Sequence, residues 1–294
     1  MIKANNKIIP SSAFVHESNI IECDHFEVGE NAFIGPNNKI TCKKFVAGDY
    51  LFMTEGIDIG RGGCTGPNSE VIIGRDVGIF EGVVINPSEK VEIGNNVGIG
   101  SECLIWTHGA WLDITQGFPA DFGPVKIGSN VWFPARSIMM PNTSIGDNTV
   151  IASMSLVNKN IPSGSLAGGV PIKIIKENLY PKFKAADNSN KEMEKIIFPQ
   201  LDEIIRVWSQ ELAPHKGIKE FSLTRENYKI ILTYKSNKTV FETIEKKING
   251  DINDIAEDFR DFLRRRGVKI FTGKPFKSIK PLYLQKLSSI NTSS

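Results

Sequence analysis

Large apolar residues recur at every sixth position through the first 170 or so residues of this chain. They fall at Ile9, Val15 and Ile21, then at Val28, Ile34, Ile40, Val46 and Phe52. The series resumes at Ile73, Ile79 and Ile85, and again at Ile93, Ile99 and Ile105. It closes on six successive steps: Ile127, Phe133, Met139, Ile145, Ile151 and Val157. If about a third of residues could serve, one such six-step run arises by chance on the order of once in a thousand trials per frame. Helices repeat every 3.6 residues and strands every 2, so neither explains the spacing. A coil of three short strands per turn does: each strand sends one large side chain inward, and three sides close a rung. The position four residues after each inward aliphatic then meets a tight corner and is expected to be small, as at Val131, Ser137, Thr143, Thr149 and Ser155. Turn-forming residues follow the aliphatic in Ile73-Gly74, Ile93-Gly94, Ile127-Gly128 and Ile145-Gly146-Asp147-Asn148. Stacked at about 4.8 Å, six to eight rungs make a prism roughly 30–40 Å long.

The period breaks twice, over the Gly-rich stretch from Ile59 to Val71 and from Gly109 to Pro124. Long loops extruded from a regular scaffold are where function concentrates. The second begins directly after His108.

Beyond Pro181 the pattern changes. PKFKAADNSNK reads as a polar linker, and Glu192 to Leu212 has helical spacing, with Pro199 expected to kink it. Tyr228–Tyr234 and Thr239–Thr243 read as strands. Asp251 to Arg266 reads as an amphipathic helix, whose terminal Arg264–Arg266 complement the helix dipole, and Val268–Phe271 as a further strand. The expected architecture is therefore a mainly β prism over 1–180 followed by a small α+β domain over 181–294.

Composition adds exclusions. Of 294 residues, 40% are hydrophobic and 23% charged, and the net charge of +2 singles out neither nucleic acid nor an anionic membrane as a partner. No stretch reaches the apolar length of a membrane span, and MIKANNKIIP lacks the apolar core of a signal peptide. Cys23, Cys42, Cys64 and Cys103 lie far apart in sequence without metal-ligand spacing, which predicts reduced thiols, a cytoplasmic location and no metal.

Val125 to Glu177 closely resembles the hexapeptide-repeat acyltransferases, above all the galactoside, maltose and polysaccharide O-acetyltransferases. Four pieces carry the resemblance: Asn130–Trp132 (NVW), Ile145–Asn148 (IGDN), Asn158–Pro162 (NKNIP) and Gly168–Ile175 (GGVPIKII). It implies a left-handed parallel β-helix, against the usual right-handed rule for parallel crossovers. It also implies acetyl-CoA as donor, a sugar or polysaccharide hydroxyl as acceptor, and a homotrimer with sites between neighbouring subunits.

Acetyl transfer to a hydroxyl needs a general base, and histidine titrates in the right range. His16 and His25 lie in the first rungs and His215 in the C-terminal region, whereas His108 occupies the place of the family's catalytic histidine. Carried over by position, the donor contacts fall on Ala135 and Ser153, then on Asn158 and Lys159, with Lys173 and Lys176 near the phosphates. Phe80 stands where galactoside and maltose enzymes carry an acceptor-binding Asn, and Pro134 where they carry Gly, so the acceptor is expected to differ from theirs. Trp106, Trp111, Phe118 and Phe122 surround the histidine and its loop, where aromatic faces suit a sugar ring or clasp a neighbour. Glu102, Asp113 and a backbone carbonyl are the alternatives for orienting His108.

Three other readings compete with this one. An N-acetyltransferase of amino sugars or nucleotide-linked amino sugars shares fold and donor. A zinc carbonic anhydrase on the same prism needs three histidines converging between subunits, and of the four here only His108 lies in the later rungs. A non-catalytic β-helical assembly subunit gives no reason for His108 to accompany the lysines.

Overall fold

The computed structural model describes residues 1–183 and 190–290 and divides into two units, Met1–Lys182 and Phe183–Ser294. In the first, short parallel strands stack in three columns, each strand pairing with its equivalent one turn later. The inward residues of the first column run Val15, Ile34, Met53, Ile79, Ile99, Phe133. Those of the second run Ile21, Ile40, Ile59, Ile85, Ile105, Met139, Val157. The third carries Val28, Ala47, Ile73, Ile93, Ile127 and Ile145. Nearly all of these are fully buried in one continuous core, with Val15 at its partly buried entrance. The small corner residues Val131, Ser137, Thr143, Thr149 and Ser155 are buried as well.

Two inward assignments are corrected. Val46 and Phe52 are only half-buried, and Ala47 and Met53 point inward in their place. The third side of the early turns takes seven residues instead of six, which moves the frame by one. Phe52 consequently joins an outer stack with Phe33 and Phe14, ring centroids 5.4 and 5.2 Å apart.

The corners explain the turn chemistry. Asn31, Asp76, Asn96, Asn130 and Asn148 occupy equivalent positions of one edge at φ between 54° and 58°. Asn and Asp tolerate this left-handed region better than most residues. Asn96 Nδ2 donates to Asn130 Oδ1 at 2.9 Å and Asn130 Nδ2 to Asn148 Oδ1 at 3.0 Å, so the amides form a ladder along that edge.

The second unit has a four-stranded antiparallel meander: Phe221–Glu226, Lys229–Tyr234, Asn237–Glu242 and Lys247–Gly250. Helix Lys191–Arg206 contains Pro199 and continues as a π turn over Val207–Leu212; Asp254–Arg265 forms a second helix capped by Asn253. Trp208, Ile230, Leu232, Phe241 and Phe259 lie in its core. Val268–Phe271 is not a strand. Its backbone instead serves a buried cation: Arg260 donates to the carbonyls of Ile270 and Pro275 at 3.1 and 2.7 Å. Of the polar stretch Pro181–Lys191, residues 184–189 lie outside the described residues.

Candidate active site

His108 lies on the edge that follows the second column. Coil register places Cys23, Cys42, the Gly60–Ser69 loop, Asn86–Ser88 and Asn142 on the same edge in successive turns. Its strand ends in an antiparallel bridge to the returning loop, His108 opposite Phe122 and Gly109 opposite Asp121. Asn142 Nδ2 pins that return by donating to the Phe122 carbonyl at 3.1 Å. Gly123 allows the close approach, because a Cβ there would collide with the Asn142 side chain.

Asn86 holds the imidazole. Its Oδ1 lies 2.8 Å from His108 Nδ1, and its Nδ2 donates to the carbonyls of Gly60 and Gly62, each at 3.1 Å. Those two carbonyls can only accept, which fixes the amide's orientation and leaves Oδ1 as an acceptor facing the ring. His108 Nδ1 must therefore carry the proton, and in the neutral ring the lone pair resides on Nε2. Ser88 Oγ donates to Asn86 Oδ1 at 3.0 Å and lies 3.0 Å from the same ring nitrogen. Thr107 Oγ1 donates to the Asn86 carbonyl at 2.7 Å, so the turn carrying His108 is bolted to the turn carrying Asn86. Asn86, Ser88 and Thr107 are buried, which makes this a desolvated and fully engaged holder. Gly63, at φ +88°, brings the Gly-rich loop against Ser88 and the imidazole edge.

Neither acidic candidate orients the ring. Glu102 pairs with Arg136 at 2.5 Å, and this partner holds its carboxyl below the usual range. Asp113 caps the turn Ile114–Gln116 and is lowered by Thr115. Asn86 was missed because an Asn after an inward Ile looks like any corner residue. The signal available was the register, which sets Asn86 opposite Trp106, two residues before His108.

Aromatic rings enclose the imidazole. Phe122 stacks on it at 5.6 Å and 22°, and Trp106 approaches edge-on at 6.3 Å. Trp111 is 94% exposed, with Leu112, Ile114 and Phe118 also exposed along the loop.

The remaining sequence-predicted residues do not converge on His108 within one chain. Phe80, Ala135 and Ser153 share a different edge, the one following the first column. Phe80 packs edge-on to Phe52 at 6.3 Å, and the Ala135 carbonyl already accepts from Met154 N at 3.2 Å. Asn158 and Lys159 lie on the His108 edge, exposed. Lys173 and Lys176 are exposed on Lys173–Lys176, which pairs antiparallel with Leu166–Gly168 at the end of the first column.

Comparison with known proteins fits this architecture. Residues 124–159 match the family model described as bacterial transferase hexapeptide (six repeats). Galactoside O-acetyltransferase of Escherichia coli (strain K12) is 44% identical over 54 residues, 18% of this chain and 27% of that protein. A Saccharomyces cerevisiae protein described as a candidate acetyltransferase is 37% identical over 112 residues, 37% of this chain and 57% of its own length. A solved galactoside acetyltransferase in complex with coenzyme A is 28% identical, covering 52% of this chain and 64% of that one, with a TM-score of 0.33. The chain thus resembles the hexapeptide-repeat acyltransferases, and it spans about a quarter to somewhat over half the length of these two relatives.

Proposed function

We propose that this protein is an acetyltransferase that moves the acetyl group of acetyl-CoA to a hydroxyl of a sugar or polysaccharide, with His108 as general base. The observation that carries the reading is the Asn86–His108 contact, which presents Nε2 as the basic nitrogen. The thioester supplies an activated acyl group. The chain's own task is to take the hydroxyl proton on Nε2 as the oxygen bonds to the acetyl carbon, and to return that proton to the departing thiolate. Trp106 and Phe122 offer apolar faces for a sugar ring beside the imidazole, and Trp111 extends that wall.

The donor-side residues support a site shared between copies. Ala135 and Ser153 form one edge and His108 another, so a single chain separates base from donor by the width of a side. A homotrimer closes that gap by setting one copy's His108 edge against the next copy's Ala135–Ser153 edge, with Lys173 and Lys176 toward the phosphates. Phe80, on the donor edge, then reaches the acceptor only across that boundary. The exposed Trp111 gains a neighbour in the same way. The coil is left-handed and the enzyme works in the cytoplasm in this reading.

The test is CoA release from acetyl-CoA over a panel of neutral and acidic sugars, polysaccharides and amino sugars, with the acetylated position located by NMR. Hydroxyl esters are expected; amides formed only on amino sugars contradict O-transfer. Light scattering is expected to give the mass of a trimer, and a monomer contradicts the shared site.

A further inference from the structure

The small net charge hides an asymmetry. Residues 1–182 hold 14 Lys and Arg against 18 Asp and Glu, whereas 183–294 hold 21 against 15, giving −4 and +6. Arg264 to Lys286 concentrates the excess, with eight basic residues and no acidic one.

The fold gathers these charges. The segment after helix Asp254–Arg265 runs back along it: Arg260 donates to the carbonyls of Lys274 and Pro275, and the Arg260 and Arg264 guanidiniums lie 4.1 and 5.0 Å from the Phe276 ring centre. Arg265 reaches Ser278 Oγ at 2.9 Å. Lys274, Lys277 and Lys280 therefore come beside Arg264–Arg266, all of them exposed except the half-buried Arg264. The nearby carboxylates are engaged internally. Glu257 holds Arg260, Asp258 is buried against Lys216, and Asp261 holds Arg264 and Arg265.

Apolar groups are interleaved with the charges. Phe271, Leu282, Tyr283 and Leu284 are 37%, 43%, 56% and 36% exposed, the last three opening the helix Leu282–Ile290 between Lys280 and Lys286. Leu282 packs on Gly217 and the Tyr283 ring lies 5.7 Å from His215, which anchors this helix to the unit.

We infer that Arg264–Lys286 is a docking surface for an anionic phospholipid membrane. Basic side chains at such a surface each contribute about 1 kcal/mol, and apolar side chains enter between headgroups. A soluble polyanion rewards the charges alone and has no use for exposed Leu282 and Leu284, which favours the lipid interface. This does not depend on the acetyl-transfer reading.

The experiment is flotation of the full chain with phosphatidylcholine vesicles, with or without phosphatidylglycerol. Binding is expected only to the mixed vesicles and to fall with salt. Combined Lys274→Gln, Lys277→Gln, Lys280→Gln and Lys286→Gln is expected to weaken it several hundredfold, about fivefold per charge. Tyr283→Ser with Leu284→Ser is expected to weaken vesicle binding while leaving binding to dextran sulfate unchanged. Melting curves matching the parent confirm that the variants fold. Absence of flotation, equal binding to pure phosphatidylcholine, or a Tyr283/Leu284 variant that binds vesicles like the parent overturns the inference, the last in favour of a soluble polyanion.

Discussion

Asn86 Oδ1 and His108 Nδ1 lie 2.8 Å apart between successive turns of the coil, and this one contact sets which imidazole nitrogen can accept a proton. Asn86→Ala removes the acceptor and the amide donor that Asn86 gives to the Gly60 and Gly62 carbonyls. Activity is expected to fall about tenfold to a hundredfold, mainly in kcat, because the base is no longer held in one tautomer. Asn86→Asp places a carboxylate beside the ring, which favours imidazolium. The acid limb of its kcat/KM profile should therefore move to higher pH. A profile unmoved in Asn86→Asp argues that the amide does not act on the imidazole.

Cys23 and Cys42 occupy paired positions, their sulfurs 3.8 Å apart, although they are remote in sequence. The hydrogen bond from Cys42 lowers the Cys23 thiol, while donating that bond, with burial, raises Cys42. Burial pushes Cys103 up to about 11 and also raises Cys64. Thiolate is the reactive form, so limited alkylation at about pH 8 should label Cys23 at least about tenfold faster than the others. Peptide mass spectrometry reads the order, and equal labelling contradicts it.

The asparagine edge makes a stability prediction. Asn130→Val forces a β-branched residue into φ 58° and breaks both rungs of the amide ladder. The expected cost is about 2 kcal/mol, most of it backbone strain because the amides are exposed. Denaturant titration checks it, and a loss below about 0.5 kcal/mol sinks the strain argument.

In the second unit, the buried Asp258 accepts from Trp208 Nε1 at 3.0 Å, Lys216 Nζ at 2.6 Å and Ile279 N at 2.6 Å, the first two bonds buried. Asp258→Ala strands a buried ammonium and is expected to destabilise this unit by about 3–5 kcal/mol. Urea unfolding followed by tryptophan fluorescence, with Trp208 as the reporter in this unit, measures the loss.

Much of the coil was legible because its core repeats one physical requirement. A large apolar residue at each sixth place announces a buried contact, and the step of six holds within each of the runs Ile73–Ile85, Ile93–Ile105 and Ile127–Val157. The frame failed at Val46 and Phe52, where one extra corner residue is invisible to a fixed period, since Val and Phe are as apolar as the Ala47 and Met53 that replace them. His108 was singled out as a candidate by its place before a loop and by the family resemblance. Asn86 was not, because its role is set by stacking one turn on the next. Val268–Phe271 had the composition of a strand, but the need to satisfy buried Arg260 took its carbonyls.

The most direct measurement is the turnover of acetyl-CoA by His108→Ala with an accepted glycan under saturating donor. Loss of the base is expected to lower kcat by about 10²- to 10⁴-fold while the variant still binds CoA. Turnover within about twofold of the parent would contradict His108 as the group that takes the acceptor's proton.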